Sequence, residues 1–135
     1  MPKATQCTVF CFTLSDNPGI LLSLANRLRA ADISLLSLWA RSNDDNTSTM
    51  RCLAERDPQF RDFARSAELD AEEEIAIHVT TSDGDGDFIR MLERVAGVNV
   101  NINAIEAVTL AGRTGWVLWT NKDCVDALLS QLNTN

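Results

Sequence analysis

The sequence predicts an α+β fold in which one small unit, ordered strand-helix-strand-strand-helix, is used twice. The main observation is a repeat at a fixed offset of 67 residues, so that Gly19 corresponds to Gly86. The same offset relates Ser15, Asp16, Leu21, Leu22, Leu24, Leu28, Ile33 and Leu35 to Ser82, Asp83, Phe88, Ile89, Met91, Val95, Val100 and Ile102. A repeat of this length is a small domain rather than a solenoid unit, which assigns residues 1–70 and 71–135 to two units. Their element order predicts mixed sheets with the helices on one face.

Local patterns predict the first strand and helix. Residues 7–14 are rich in β-branched and aromatic side chains, which is typical of a strand. Asn17 is expected to cap the following helix, with Pro18 at its first position, where the missing N–H costs nothing. From Gly19 to about residue 31, apolar side chains recur every three or four positions. The predicted buried face comprises Leu21, Leu24, Ala25 and Leu28.

Two strands and a helix complete the first unit. Residues 33–39 alternate as a second strand, the polar run 43–46 predicts a hairpin turn, and residues 49–54 return as a third strand. Pro58 starts a second helix, which carries Phe60, Phe63, Ala64 and Ala67 on one side. The acidic segment 68–74 is interpreted as a solvated joint between the units.

The second unit follows the same order. Its predicted elements are a strand at 75–79, a helix at 88–96, a strand at 98–109, a turn at 111–115, a strand at 116–120 and a helix at 123–132. A module of this size buries only about 60% of its unfolded surface, so each unit is expected to need the other for stability.

Composition excludes several classes of function. With 19 acidic against 12 basic residues and no basic cluster, the chain is not expected to bind nucleic acid. No apolar run approaches the roughly 20 residues that span a bilayer, and no leader pattern is present at the N-terminus, so we expect a cytoplasmic protein without a membrane partner. The cysteines lack zinc-binding spacing and are interpreted as reduced: they are Cys7, Cys11, Cys52 and Cys124. No cofactor is predicted.

Residues 13–19, Thr-Leu-Ser-Asp-Asn-Pro-Gly, precede an amphipathic helix and the segment Ala-Asp-Ile-Ser-Leu at 31–35. This layout resembles the ACT domain, in which an acidic-x-Pro-Gly turn joins a strand to a helix. The motif is well kept in the first half and partly kept in the second. The resemblance implies ferredoxin-like βαββαβ units that pair side by side. It also implies a non-catalytic regulatory role, in which a small effector, commonly an amino acid, binds where the turn of one module meets its neighbour.

The strand-to-helix turn is the predicted ligand site. A helix N-terminus presents unpaired N–H groups to a carboxylate, and Gly19 lets a ligand approach the backbone. Carried over from the resemblance, the candidate contacts are Ser15, Asp16, Asn17, Pro18, Gly19, Ile20 and, at the start of the second strand, Ser34. Asp16 or Asn17 would suit an ammonium group. A well-formed helix start that binds nothing would give the same pattern.

The turn of the second half differs, because it has no proline and carries three aspartates. Its candidate contacts are Asp83, Gly84, Asp85 and Gly86, and with Asp87 they would favour an amine or a cation. Alternating aspartates also resemble the start of a calcium loop, so a weak divalent-cation site is an alternative, although Phe88 and Arg94 replace the glycine and glutamate of such a loop. Farther along, Asn99, Asn101 and Asn103 either line a polar ligand site or face water.

The family pattern has a fourth strand for which neither half has room. The edge of the first strand would then be open, and pairing of the copies, strand exchange or a homodimer could cover it. We expect a homodimer, with any signal passing to a separate regulated enzyme. Catalysis is not expected, because no serine or cysteine motif accompanies the single histidine, His78. An interaction module without a small ligand is the remaining alternative, for which Trp39, Trp116 and Trp119 could supply anchors.

Overall fold

The computed structural model describes residues 3–81 and 87–133, apart from the side chains of residues 87 and 88. Within these residues, six strands and four α-helices form an α+β fold, and they follow the predicted order. The strands are β1 (Lys3–Ser15), β2 (Leu35–Ser42), β3 (Thr47–Ala54), β4 (Glu72–Thr81), β5 (Ile102–Leu110) and β6 (Arg113–Thr120). The α-helices are α1 (Ile20–Ala30), α2 (Asp57–Ser66), α3 (Asp87–Gly97) and α4 (Val125–Leu132), and a 3-10 helix at Lys122–Cys124 precedes α4. In these ranges, no helix has both the length and the apolar character needed to span a membrane.

The chain divides into two compact units. The first unit is Thr8–Glu74, and the second combines Met1–Cys7 with Ile75–Asn135. Both boundaries fall inside strands, so β1 and β4 each contribute residues to both units. The strand order is β2-β3-β1-β4 in the first unit and β5-β6-β4-β1 in the second. The first strand is therefore not an open edge, because β1 has β3 on one side and β4 on the other.

The core of the first unit lies between its sheet and the helices α1 and α2. In the antiparallel pairing of β1 with β3, Phe10 stands opposite Cys52 and Phe12 opposite Met50, which places these four side chains on one face. The buried cluster is completed by Leu24, Leu28, Ala54, Phe60, Phe63 and Ala64. Full burial of side chains of this size stabilises a fold by about 1.5–3 kcal/mol each. Because residues of both α1 and α2 belong to this cluster, the two helices cover the same face of the sheet.

The core of the second unit is built in the same manner. Its buried members are Ala4, Ile77, Val79, Met91, Val95, Trp116, Leu118, Val125, Leu128 and Leu132. The start of β1 is fixed to this unit by Asn133, whose side-chain amide donates to the Ala4 carbonyl at 3.0 Å and accepts from the Ala4 N–H at 2.9 Å. The Asn133 amide thus satisfies the backbone of Ala4 as a neighbouring strand would.

The acidic segment predicted as a solvated joint is partly a strand, because β4 begins at Glu72. Arg61 of α2 holds Glu73 through hydrogen bonds of 2.9 and 2.7 Å, and Arg51 of β3 holds Glu74 through bonds of 3.1 and 3.3 Å. Successive strand residues point to opposite faces, so the two carboxylates reach opposite sides of the sheet. The prediction was wrong here because this strand begins with paired charges, which hydrophobic periodicity does not detect.

Several predicted boundaries also need correction. The first strand begins at Lys3 instead of residue 7, and β5 begins at Ile102 instead of residue 98. The second hairpin turn is limited to Ala111 and Gly112, which adopt φ angles of 53° and 78°. In α1, the predicted apolar face is only half buried, because Leu24 and Leu28 are in the core while Leu21 and Ala25 are exposed.

Candidate functional site

The turn between β1 and α1 is built around Pro18 and Gly19. The Ile20 N–H donates to the Asn17 carbonyl at 3.2 Å and closes a four-residue turn. Gly19 has φ 88° and ψ −5°, the left-handed conformation that the third position of a type II turn requires, while proline suits the second. The Pro-Gly pair therefore specifies the turn itself.

This turn shifts the start of the helix from its predicted position. α1 begins at Ile20 with Gly19 as its N-cap residue, and no side chain caps it. The predictions that Asn17 caps the helix and that Pro18 is its first residue were wrong, because the left-handed Gly19 ends the turn before helical geometry begins. The Gly19 carbonyl accepts the N–H of Ser23 at 2.9 Å, the first bond of the helix. The backbone N–H groups of Leu21 and Leu22, which follow Ile20 at the start of α1, remain available, as at any uncapped helix start.

A cavity of about 510 Å³ opens beside this turn, within the first unit. One wall is the turn and the first helical residues, and the other is formed by β2 and β3. The lining residues are Asp16, Asn17, Pro18, Gly19, Ile20, Leu21, Leu22, Ala40, Arg41, Ser42, Ser48 and Met50. Five predicted contacts, Asp16 through Ile20, thus lie together on one cavity, and their role as ligand contacts stays a prediction.

The turn is fixed to the hairpin between β2 and β3. The Asp16 N–H donates to the carbonyl of Asn46 at 2.9 Å. Within the hairpin, the Asp45 carboxylate accepts the N–H and hydroxyl of Thr47, and the hydroxyl bond holds the pKa of Asp45 below its usual value. Asn43 donates to the hydroxyls of Thr47 and Thr49 at 3.0 and 2.9 Å. These bonds hold the end of the cavity where β1 and the hairpin meet.

Two charged residues line the cavity. Asp16 is exposed at its rim, where the carboxylate can meet a cationic group from solvent. Arg41 stands opposite Thr49, whereas Ala40 stands opposite Met50 of the core. Because neighbouring strand positions alternate, the Arg41 side chain leaves the sheet on the face opposite Met50. The floor of the cavity, which is formed by the β2 and β3 side chains on the Met50 face, therefore carries no charged group. The Asp16 carboxylate supplies negative charge at the rim.

Other predicted site residues lie elsewhere. Ser15 ends β1 and does not line the cavity. Ser34 precedes β2 at the end remote from Ala40 and Ser42, and its carbonyl accepts the N–H of Glu55 at 3.0 Å. Asp83, Gly84, Asp85 and Gly86 lie outside the described residues. Elsewhere in the described chain, no three potential metal ligands cluster.

The asparagines of the second unit are exposed. Asn101 donates to the side chain of Asn103 at 2.7 Å, and Asn103 donates to that of Asn121 at 3.1 Å. Asn99 adopts a left-handed φ of 61° before β5, a conformation that asparagine tolerates. Asn101, Asn103 and Asn121 thus form a surface chain of hydrogen bonds between the start and end of the β5–β6 hairpin, and the role of Asn99 and Asn101 as ligand contacts stays a prediction.

The cavity residues on β2 and β3 were missed by sequence reasoning. They lie 20 or more positions from the turn, so only the register of β2 against β3 brings them together. One signal was present in β3, where every second residue from Ser48 to Ala54 is buried. Half-buried residues lie between the buried ones, except near the end of the strand, where Leu53 is also buried. This alternation places Ser48 on the face of Met50 and Cys52.

The opposite face of the first unit carries a separate polar cluster. Cys11 stands opposite Arg51, whose guanidinium pairs with Glu74. Burial raises the pKa of the Cys11 thiol, although Arg51 acts in the other direction. Burial likewise raises the pKa of Cys52 to about 12. None of the four cysteines is in a disulfide, and the two pKa shifts disfavour reactive thiolates at Cys11 and Cys52.

Solved structures resemble the chain over nearly its whole length. Protein BT0572 from Bacteroides thetaiotaomicron superposes with a TM-score of 0.78 at 15% identity, over 95% of this chain and 90% of that one. The ligand-free regulatory subunit of aspartate kinase from Thermus thermophilus superposes with a TM-score of 0.68 at 15% identity, over 97% and 93%. The chain has an ACT-type fold.

A longer protein contains a similar region. The aspartate kinase of Clostridium acetobutylicum superposes with a TM-score of 0.59 at 15% identity, over 98% of this chain and 33% of that enzyme. No protein-family model matches the sequence, and no curated protein matches it either. At these identities the likeness establishes the fold alone.

Proposed function

We propose that the chain is a non-catalytic regulatory protein made of two ACT-like, ferredoxin-like repeats, residues 1–70 and 71–135. Its similarity in fold to a regulatory subunit of aspartate kinase, over nearly the full length of both chains, supports a regulatory role. The 67-residue offset also relates buried residues of one core to buried residues of the other. Phe10, Phe12, Leu24 and Leu28 are buried, and so are Ile77, Val79, Met91 and Val95, each 67 positions later.

The first repeat binds a small amino acid in the cavity beside Gly19. The observation that carries this proposal is that the cavity joins an uncapped helix start to the rim carboxylate of Asp16. The N–H groups of Leu21 and Leu22 suit a ligand carboxylate, because a helix N-terminus carries partial positive charge. Asp16 suits the ammonium group. A zwitterion satisfies both, whereas a simple anion would meet the aspartate unfavourably.

A thermal-shift panel of the common amino acids, followed by calorimetry on any positive compound, tests this binding. Ligand at 100 times its dissociation constant adds about 2.7 kcal/mol to the free energy of unfolding. Ala40→Trp places an indole in the cavity from the edge strand and should abolish the shift. Ala25→Trp is the matched control, because Ala25 is exposed on α1 and does not line the cavity. Equal shifts in both variants would place any binding elsewhere.

Ligand binding to this protein regulates a separate enzyme, and the protein acts as a homodimer. In the aspartate kinase of Clostridium acetobutylicum the matching region is one part of a larger enzyme, which supports an enzyme as the partner. The end strands β2 and β5 expose apolar side chains suited to pairing with a second copy: they include Leu36, Leu38, Ile105, Val108 and Leu110. Sedimentation equilibrium on Leu38→Glu and Val108→Glu tests the dimer, since a charge at the interface should give monomer.

The same exposed strands favour an alternative, an interaction module without a small ligand. In that case the protein would dimerise or bind a partner protein, and no amino acid would raise its melting temperature. Leu38→Glu or Val108→Glu would still weaken the assembly. Ala40→Trp would change the assembly only by altering the conformation of β2. Ligand-induced stabilisation of the wild type therefore separates the two functions.

A further inference from the structure

We propose that Ser48 sets the side-chain specificity of this cavity by hydrogen-bonding an uncharged polar group, a hydroxyl or carboxamide, on the side chain of the bound amino acid. This inference rests on the proposed binding of an amino acid beside Gly19, and it adds the chemical class of that amino acid.

The floor of the cavity has a defined order of side chains. Ser48 stands opposite Ser42 on β2, and Met50 stands opposite Ala40. Since the two pairs are two residues apart, all four side chains lie on the same face of the sheet, the face that carries the core. On its other side, Ser48 stands opposite Leu14 of β1. The hydroxyl of Ser48 is therefore bordered by Leu14 and Met50 and open toward the cavity.

Ser48 is a buried residue whose hydroxyl is not fully enclosed, because it opens on the cavity. Its exposed fraction is 5%, yet among the hydrogen bonds of residues 3–81 and 87–133 none involves the Ser48 side chain. Buried hydroxyls are normally hydrogen-bonded, because desolvation without a partner is unfavourable. A ligand that expels water from this part of the cavity therefore leaves the hydroxyl without a partner, unless a polar group of that ligand completes the bond. Neighbouring positions on the same face of β3, Met50 and Cys52, are apolar, so packing alone would favour an apolar residue here.

The wall opposite Ser48 supplies the other contacts of an amino acid. The start of α1 at Leu21 and Leu22 faces the carboxylate, and Asp16 at the rim faces the ammonium group. The side chain of the bound amino acid then extends toward the floor, where the Ser48 hydroxyl lies between the apolar side chains of Leu14 and Met50. One hydroxyl does not compensate the desolvation of a full charge. The site therefore selects an uncharged polar side chain over both a charged and an aliphatic one.

Calorimetry with two pairs of similarly shaped amino acids tests this selection: L-threonine against L-valine, and L-asparagine against L-leucine. In the wild type, at least one polar member should bind about tenfold or more tightly than its apolar counterpart, because an unsatisfied buried polar group penalises the apolar ligand. In Ser48→Ala the ratio should fall below about threefold. Ser23→Ala is the matched control, since Ser23 is exposed on α1 and does not line the cavity, and it should keep the wild-type ratio.

The outcomes separate this inference from the function on which it rests. If no amino acid binds the wild type, the proposed function fails and the specificity with it. If amino acids bind but neither pair is discriminated, or if Ser48→Ala keeps the wild-type ratio, the role of Ser48 is overturned while the function stands. Melting of the ligand-free protein adds a check, because Ser48→Ala removes an unpaired hydroxyl and should not lower the melting temperature. A clear decrease would show that the hydroxyl is already bonded and would overturn the inference.

Discussion

Arg27 and Arg94, which are 67 positions apart, make the same contact in their respective units. The Arg27 guanidinium donates to the carbonyl of Ala67 at the end of α2, at 2.9 Å. The Arg94 guanidinium donates to the carbonyls of Gln131 and Leu132 at the end of α4, at 3.1 and 3.2 Å. The last carbonyls of a helix have no partner within it and carry partial negative charge. Each unit therefore ties the end of its second helix to its first helix through one arginine.

Replacing either arginine by methionine should lower the free energy of unfolding by about 1 kcal/mol, the usual magnitude for a charged donor at exposed helix carbonyls. Methionine keeps much of the aliphatic stem, so the loss reports the guanidinium. Arg29→Met is the control, because within the described chain the Arg29 side chain makes no hydrogen bond or ion pair. Urea unfolding measures all three variants. If Arg27→Met is no less stable than Arg29→Met, the contact does not stabilise α2.

The elements of this fold were predictable where hydrophobic spacing and turn chemistry agree, as in α2 and in the hairpin at residues 43–46. The starts of β1 and β4 were not, because polar and charged residues there become strand by pairing with neighbouring strands. The turn beside Gly19 was identified from its Pro-Gly pair. Its cavity partners Ser42 and Ser48 were missed, since no local pattern gives the register that places β2 and β3 beneath α1.

Gly19 should resist substitution for reasons of backbone conformation alone. A Cβ at Gly19 would meet nothing within 4 Å, but the φ of 88° is unfavourable for L-residues. Gly19→Ala should therefore cost about 1–2 kcal/mol of stability. Gly97→Ala is the matched comparison, because that Cβ also meets nothing within 4 Å and Gly97 ends α3 without a left-handed φ.

Gly97→Ala should raise stability by about 0.4–1 kcal/mol, since alanine loses less conformational freedom on folding. The melting temperature should therefore fall in Gly19→Ala and rise in Gly97→Ala, which thermal unfolding measures. Equal effects of the same sign would contradict the left-handed turn at Gly19.

Equivalent helix positions in the two units should carry similar core energies. Leu24 of α1 and Met91 of α3 have exposed fractions of 3% and 2%, and they are related by the 67-residue offset. Leu24→Ala and Met91→Ala should each cost about 2–5 kcal/mol, through lost burial and the cavity left behind. Leu22 lies on α1 with 66% exposure, so Leu22→Ala should change stability by no more than about 0.5 kcal/mol. Chemical denaturation measures the three, and a large loss at Leu22 would contradict its placement.

His78 should make stability depend on pH below neutrality. It lies half-buried on β4 opposite Val117, and burial lowers the pKa of its imidazole, because desolvation disfavours the charged form. The unfolded chain, with a histidine pKa of about 6.5, then binds the proton more readily than the folded one. Its contribution is complete above about pH 6.5 and is lost as the pH falls through the folded pKa.

NMR titration of the single histidine should give a midpoint below 6.5, and His78→Gln should flatten the stability profile between about pH 7 and 5. The Asp45 and Glu73 carboxylates, whose pKa values are lowered by hydrogen bonds from Thr47 and Arg61, titrate at lower pH and do not obscure this window. A midpoint at or above 6.5 would mean that the imidazole is solvated or stabilised in its charged form, which is incompatible with its burial on β4.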